Sequence, residues 1–328
     1  MMPRLLAIWL LLCWPLVASA AALQELKLLN EQPVNGVSGG NLSGLAWCDG
    51  ALWAVSDRDD QQLYRLQSDQ SQWHATAEAF LAPPAPDTRL PWGLRMRSWA
   101  AGLVRGGELD FEGLSCDAAG NRYLVSEARA AVLQVPVIGE PKWLALPQGV
   151  VRQARASGML LHYNSLFEGI AVDPAGERLY LAAERMRRGL LVVHKSRATW
   201  RCTGGCVLFS EAGNESGPEQ MGTKEQPRDF SGLAFFNEKL FTLERQAHRI
   251  CRRSLSNAQV ERCWSFAAAA LTPERRYPPA YGLAEALWVD QDGAWIGVDN
   301  GRFSRADGES RPIIWRFAAP KGGWGATL

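Results

Sequence analysis

Five short segments place an oxygen-bearing side chain ahead of a small residue and an apolar run. They are Ser43-Gly44-Leu45-Ala46, Glu112-Gly113-Leu114-Ser115, Glu168-Gly169-Ile170-Ala171, Ser231-Gly232-Leu233-Ala234 and Glu285-Ala286-Leu287-Trp288. A second acid follows each opening residue by 13–16 positions, at Asp57, Glu127, Glu184, Glu244 and Asp299. Arginine stands beside or near every one of these, as Arg58, Arg129, Arg185, Arg245 and Arg302. If a fold gathers the opening residues around one point, three glutamates converge, and they cannot all stay ionised without positive charge among them. Carboxylate and hydroxyl oxygens suit a hard cation, calcium before zinc or copper, which prefer imidazole and thiolate. The expected metal ligands are Ser43, Glu112, Glu168, Ser231 and Glu285. The arginines can neutralise the second acids through carboxylate–guanidinium pairs. A structural use stands beside this reading: each Glu bonds backbone N–H groups of a neighbouring unit, and acid–arginine pairs clamp units together. For the outer pairs the structural use is the better one.

The elements that must position these residues are short strands. Between each opening segment and its acid stands a turn signal: Asp49-Gly50, Ala119-Gly120-Asn121, Pro174-Ala175-Gly176, Asn237-Glu238 or Asp292-Gly293. β-branched and aromatic runs joined by such turns read as hairpins. Two more strand-like segments follow, near 61–66 and 72–80 in the first repeat and near 247–254 and 259–266 in the fourth. A four-stranded unit recurring every 54–69 residues reads as a propeller blade, its usual period lengthened by loops. The fifth repeat has one clear strand after its hairpin, Pro312 to Phe317, and Gln24 to Leu29 belongs to no repeat. The sequence thus predicts an all-β, five-bladed β-propeller with blades starting near 43, 112, 168, 231 and 285, closed by its N-terminal strand. In a blade the first strand lines the channel and the second returns antiparallel. Opening residues and closing acids therefore share one face, as an inner and an outer ring.

Of the 328 residues, 47% are hydrophobic and 21% charged, which excludes intrinsic disorder. Lys and Arg number 35 against 34 Asp and Glu, so no global field favours nucleic acid or an anionic membrane. Arg4, the apolar run Leu5 to Val17 and Ala18-Ser19-Ala20 read as a cleaved leader over residues 1–20, followed by one domain over 21–328. No later apolar stretch reaches the ~20 residues of a membrane span. The expected product is a periplasmic or secreted monomer without membrane insertion. Cys13 falls in the leader, which leaves six cysteines for an oxidising compartment. Cys251 and Cys263 are equidistant from a turn at Ser256-Asn257 and should face each other. Cys202 and Cys206 bracket Thr-Gly-Gly, while Cys48 and Cys116 hold matching places in two repeats. There is no C-x-x-C pair, and the four His are scattered, so disulfides are preferred to a thiolate metal site.

Phe111-Glu112-Gly113-Leu114, Phe167-Glu168-Gly169-Ile170 and Phe230-Ser231-Gly232-Leu233 resemble repeats of the phytase-like family, described as "esterase-like activity of phytase". The resemblance runs from about residue 40 to 317. More distantly the chain is similar to the calcium-activated nucleotidases (apyrases). In those five-bladed propellers one Ser or Glu from each blade holds a central calcium, in the chain order Ser, Glu, Glu, Ser, Glu. Ser43, Glu112, Glu168, Ser231 and Glu285 stand in that order, so the resemblance implies a calcium site at these residues. The nucleotide-holding loops of the apyrases have no visible match, and Ala286 replaces the Gly of the other repeats. Calcium is implied more strongly than nucleotide hydrolysis.

A catalytic cation in this setting serves hydrolysis of a phosphate ester or anhydride, polarising a phosphoryl oxygen or a water. Arginines hold the remaining anionic oxygens and a rim carboxylate orients water. Glu184, Arg185, Glu127 and Arg245 are the residues expected to do this, on a small phosphorylated or ester substrate. Long connections near 81–110, 147–166, 211–229 and 267–284 open on the same face. The first carries Arg89, Trp92, Arg95, Arg97, Trp99 and Arg105; the last carries Arg275, Arg276, Tyr277 and Tyr281. They could bind a phosphorylated ligand, or Trp92 and Trp99 could simply pin a loop to the blades. Two other functions stay open: a non-enzymatic binding propeller stiffened by its ion, and a carboxyl-ester or lactone hydrolase whose ion polarises a carbonyl. The sequence holds no G-x-S-x-G elbow, P-loop or H-E-x-x-H. Ser115 and Ser126 have no His nearby in sequence, and His162 reads as a satisfied loop histidine.

Overall fold

A computed structural model describes residues 23–37, 40–105 and 107–326; the leader expected at 1–20 lies outside the described residues. The architecture is all-β and propeller-like. Each repeat gives an antiparallel hairpin: Gly44–Cys48 with Ala51–Val55, Phe111–Cys116 with Arg122–Ser126, Phe167–Val172 with Arg178–Ala183, Gly232–Phe236 with Lys239–Glu244, and Ala284–Asp290 with Gly293–Val298. Asp49-Gly50 and Asn237-Glu238 are two-residue turns with both residues at positive φ (49° and 74°, 48° and 53°). That is the type I′ geometry, whose twist matches the strands it joins. Third strands follow at Gln62–Ser68, Ala131–Val135, Arg187–Ser196, Arg249–Arg253 and Ile313–Ala318.

The N-terminal segment divides between units. Leu28–Asn35 pairs antiparallel with Ile313–Ala318 of the fifth unit and, through Val34 and Asn35, parallel with Trp73–Ala79 of the first. Gln24–Glu25 instead adds a parallel pair to Val260–Ser265 of the fourth. The sequence assigned Gln24 to Leu29 whole to the fifth repeat. The division follows burial: Leu26 packs into the core between the fourth and fifth units, Val34 into the core between the fifth and first, and Leu29 stays exposed.

The opening strands touch in cyclic order, Gly44–Cys48 to Phe111–Cys116, Phe167–Val172, Gly232–Phe236, Ala284–Asp290 and back to Gly44–Cys48. Five apolar clusters fill the spaces between consecutive units. Sheets covered on both faces lose the in–out alternation of a half-exposed strand, and Phe167–Val172 is buried at every residue. The motif glycines follow from the same crowding. A Cβ on Gly44 would lie 2.6 Å from the Leu114 nitrogen, and one on Gly232 would lie 2.8 Å from the Glu285 carbonyl oxygen. Ala286, in the fifth repeat, is buried in the cluster that meets the first unit.

Cys48–Cys116 joins the first and second units, Cys251–Cys263 crosses one hairpin in register, and Cys202–Cys206 closes a local loop. Three bridges fit an oxidising compartment. Among the described residues no helix is long and apolar enough to cross a membrane. The connections read as loops in the sequence hold structure of their own: helices Trp92–Arg105, Gly149–Ala156 and Ala267–Ala270, and a strand pair Asn214–Ser216 with Glu225–Pro227.

Candidate functional site

The opening residues stand at the start of the first strands, and the closing acids stand at or just past the end of the second. Antiparallel pairing brings the two sets to one end of each hairpin. In the three repeats that open with Glu the ladder slips at that residue, between Phe111 and Gly113, Phe167 and Gly169, and Ala284 and Ala286. A bulge leaves its extra residue out of the ladder and re-aims the side chain. The two repeats that open with Ser pair without a slip. Ser43, Glu112, Glu168 and Glu285 line one narrow cavity among the opening strands, with room for about one water-sized body. Ser231 is fully buried beside it, and its hydroxyl donates to the Ala284 carbonyl oxygen at 2.7 Å. Ser43 Oγ accepts from the Asp57 N–H at 3.2 Å.

Two groups of acids meet around this cavity. Carboxylate oxygens of Glu127, Glu168 and Glu184 lie within 4.8 Å of one another, and so do those of Asp57, Asp110 and Glu112. Burial pushes Glu112, Glu127 and Glu168 well above the ordinary carboxylate range, and like charges push further: Glu168 on Glu112 and Glu127, Glu184 on Glu168. Glu184 rises to about 8 by burial, against the opposing charges of Arg245 and Arg185. Asp299 rises to about 6 through burial and the charge of Asp57.

The cations are arranged differently from the expectation that each arginine serves the acid before it. Arg185 and Arg58 do pair with Glu184 and Asp57, at 3.0 and 3.9 Å. Arg129 turns to Glu108 at 3.8 Å, and Arg302 is exposed. Arg245 leaves Glu244 and reaches across units: Nη2 donates to Glu184, Nη1 donates to Glu285, and Nε lies 3.0 Å from Asp229 Oδ2. Glu244 is held instead by Arg188 at 3.0 Å, Arg253 at 2.7 Å and Arg249.

Carboxyls therefore outnumber guanidiniums around the cavity. Buried polar atoms need partners, yet Glu184 Oε2 and Glu285 Oε2 are buried with no hydrogen bond. The donors are all oxygen, and a hard divalent cation fits them.

Sequence reasoning missed Asp110 and Asp229. Each lies two residues before an opening residue, the place Asn41 holds in the first repeat, where its Nδ2 donates to Asp57 Oδ1 at 2.6 Å. A polar residue at that register in three repeats, against Leu166 and Leu283 in the others, was the available signal. The serines considered as nucleophiles are engaged elsewhere: Ser115 Oγ accepts from the Val172 N–H at 3.0 Å, and Ser126 Oγ donates to the Leu109 carbonyl. His162 is exposed. Arg275 ion-pairs with Glu31 at 2.7 Å and Arg276 donates to the Leu271 carbonyl at 3.2 Å, so both hold the framework. Trp92 and Trp99 are 75% and 57% exposed and line a shallow cavity with Glu108 and, from the second unit, Ala128 and Arg129.

No curated protein matches the chain. Among solved structures it is similar to the glutaminyl cyclase of Myxococcus xanthus, at 10% identity and a TM-score of 0.48 over 90% of this chain and 97% of that one. It is also similar to the PQQ-bound aldose sugar dehydrogenase of Streptomyces coelicolor, at 13% identity and a TM-score of 0.45 over 89% and 98%. A third likeness is the virginiamycin B lyase of Staphylococcus aureus, at 12% identity and a TM-score of 0.41 over 90% and 100%. The family model for Phytase-like proteins, "Esterase-like activity of phytase", matches residues 37–202, half of the sequence, and the chain belongs to that family.

Proposed function

We propose that the chain is a hydrolase of phosphoric esters or anhydrides working at this acidic centre, with a calcium ion held by Ser43, Glu112, Glu168, Ser231 and Glu285. In this reading one domain over 21–328 forms five blades closed by the N-terminal strand, and the protein is periplasmic or secreted. The observation that carries the proposal is two trios of carboxylates, Asp57, Asp110 and Glu112 and then Glu127, Glu168 and Glu184, each within 4.8 Å internally and together exceeding the cations supplied to them. Glu285 belongs to neither trio and joins through the cavity it lines with Glu112 and Glu168. Bound calcium supplies charge neutralisation and polarisation of a phosphoryl oxygen.

The chain's own residues divide the remaining work. Ser231 donates its proton to Ala284 and so has only lone pairs left to offer, as a cation ligand requires. Glu127 is fixed by the Leu166 N–H at 3.1 Å and orients water. Glu184, buried against Glu168 with its Oε2 free of any hydrogen bond, is the carboxyl placed to transfer a proton. Arg185, 34% exposed, reaches solvent and takes the anionic oxygens of the substrate. Arg245 has all its reach occupied by Asp229, Glu184 and Glu285, and acts as a positioning residue.

A second reading, an ion that stiffens a binding propeller without turnover, is favoured by the cavity's narrowness. Assays with phosphate monoesters, nucleotides and carboxyl esters, in calcium and in chelator, separate the two. The expected result is calcium-dependent phosphate release, with Glu168→Gln weakening calcium binding at least about tenfold. Calcium that raises the melting temperature without any turnover supports the second reading. Unchanged calcium affinity in Glu168→Gln removes that residue from the site.

A further inference from the structure

The helix Trp92–Arg105 inverts the usual rule that an amphipathic helix turns its large apolar residues inward. Its buried positions are Leu94, Ser98 and Gly102, spaced four apart, and a Cβ on Gly102 would meet the Gly107 carbonyl oxygen at 2.9 Å. Leu94 alone packs into the core, and close approach at Ser98 and Gly102 leaves the other large apolar side chains outward. Trp92, Met96, Trp99 and Leu103 form one exposed stripe at i, i+4, i+7 and i+11, and Val104 beside it is 84% exposed. Arg89, Arg95 and Arg97 are exposed around the stripe, the helix contains no acidic residue, and the nearby Glu108 is paired with Arg129 at 3.8 Å, so arginine predominates around the stripe. The connection carrying it runs from Trp73–Ala79 to Phe111–Cys116, so it lies on the face where the opening residues sit. Exposed Leu161, Met186 and Phe303 occupy connections and turns that open on the same face.

We infer that this face docks on an anionic lipid bilayer, with the helix lying in the interface plane. Trp is the side chain best suited to the boundary between headgroups and acyl chains, because its apolar body carries one polar tip. Each arginine near an anionic surface strengthens binding by about fivefold, within a Debye length. The net charge of +1 does not oppose this, since the attraction is local to the helix. A second copy of the chain fits less well: a two-fold interface sets the same patch against itself and brings arginine against arginine. The inference rests on the exposure and charge of this face and is independent of the hydrolase reading.

Co-sedimentation tests it, using the form beginning at Ala21 so that the apolar leader cannot contribute. The vesicles are phosphatidylcholine alone, or phosphatidylcholine with an equal part of phosphatidylglycerol. The chain should bind the anionic vesicles and release them as salt rises. Trp92→Ser/Trp99→Ser/Leu103→Ser should weaken binding at least about tenfold at an unchanged melting temperature. Arg95→Gln/Arg97→Gln should weaken it on the order of twentyfold on anionic vesicles. Failure of the unmodified chain to bind overturns the inference, as does binding that neither variant alters. A dimer in sedimentation that the triple variant turns into a monomer, without vesicle binding, assigns the face to a second copy and overturns it as well.

Discussion

Glu184 and Glu244 close the same strand in consecutive repeats, each is fully buried, and each is followed at once by arginine. Yet burial lifts Glu184 to about 8, whereas Glu244, equally buried, is drawn down to about 2 by Arg188, Arg249 and Arg253. The third strands make the difference. Arg249–Arg253 supplies two guanidiniums to Glu244, and Arg188 arrives from the third strand of the neighbouring unit. The third strand beside Glu127, Ala131–Val135, carries no cation at all. One motif position therefore serves two ends: a locked ion cluster on the fourth unit, and an undercompensated acidic centre between the second and third.

The largest effect expected from breaking this contrast is at Glu244. Glu244→Gln leaves three buried or half-buried guanidiniums without their shared carboxylate, and removing one partner of a buried pair costs about 3–5 kcal/mol. Denaturant unfolding should show that loss with or without calcium. Glu184→Gln, which exchanges a carboxyl largely protonated near neutral pH for a neutral amide, should cost far less in chelator. Equal losses at the two positions would erase the distinction between locked and open acids.

How much of this was legible follows the same division. The register of Glu112, Glu168 and Glu285 is visible because each repeats a local phrase, and Cys251–Cys263 follows from its spacing about a turn, whereas the matching places of Cys48 and Cys116 left their pairing open until the structure joined them. The partner of each acid is not visible, since it comes from another unit. Arg245 serves Glu184, 61 residues back, and Glu285, 40 ahead, distances that no local pattern records. The bulges were hidden too, because a slip between Phe167 and Gly169 changes pairing without changing residue type. The Trp92–Arg105 helix escaped notice because its inward face joins a single large apolar residue, Leu94, to Ser98 and Gly102, which blurs the period that marks a helix.

Acidity gives a test of intermediate size. Glu184 has a folded value near 8 against an ordinary 4.5, so between those pH values the unfolded chain has released a proton that the fold retains. Stability in chelator should therefore fall as pH rises from about 4.5 to about 8, by up to about 1.4 kcal/mol per pH unit for each such carboxylate. Glu244 runs the other way: its contribution is complete above the ordinary value and is lost as pH falls toward about 2. Because cation ligands must be ionised, calcium should flatten the upper slope and leave the acid limb unchanged. Melting temperature against pH, with and without calcium, measures both limbs. A curve in chelator that is level from 5 to 8 would sink the open-acid account.

The smallest expected effect separates two arginines that look equivalent in sequence. Arg185 lies 3.0 Å from Glu184 and faces the acidic centre, whereas Arg129 lies 3.8 Å from Glu108, whose side chain is 74% exposed. The Arg129–Glu108 pair is exposed and contributes about 1 kcal/mol at most, while Glu184 keeps its buried partner Arg245 when the partly exposed Arg185 is removed, so neither Arg185→Gln nor Arg129→Gln should move the melting temperature by much. Their other readouts should differ. Removing Arg185 deletes a positive charge that acts on the proposed ligand Glu168, and deletes the group assigned to the substrate's anionic oxygens. Calcium should then bind about two- to fivefold more tightly, on the scale of a weak exposed pair, while KM for a phosphate ester rises. Arg129→Gln should leave both quantities alone. If Arg129→Gln shifts calcium affinity as far as Arg185→Gln does, the field of the whole face governs the ion, and the particular pair at Glu184 does not.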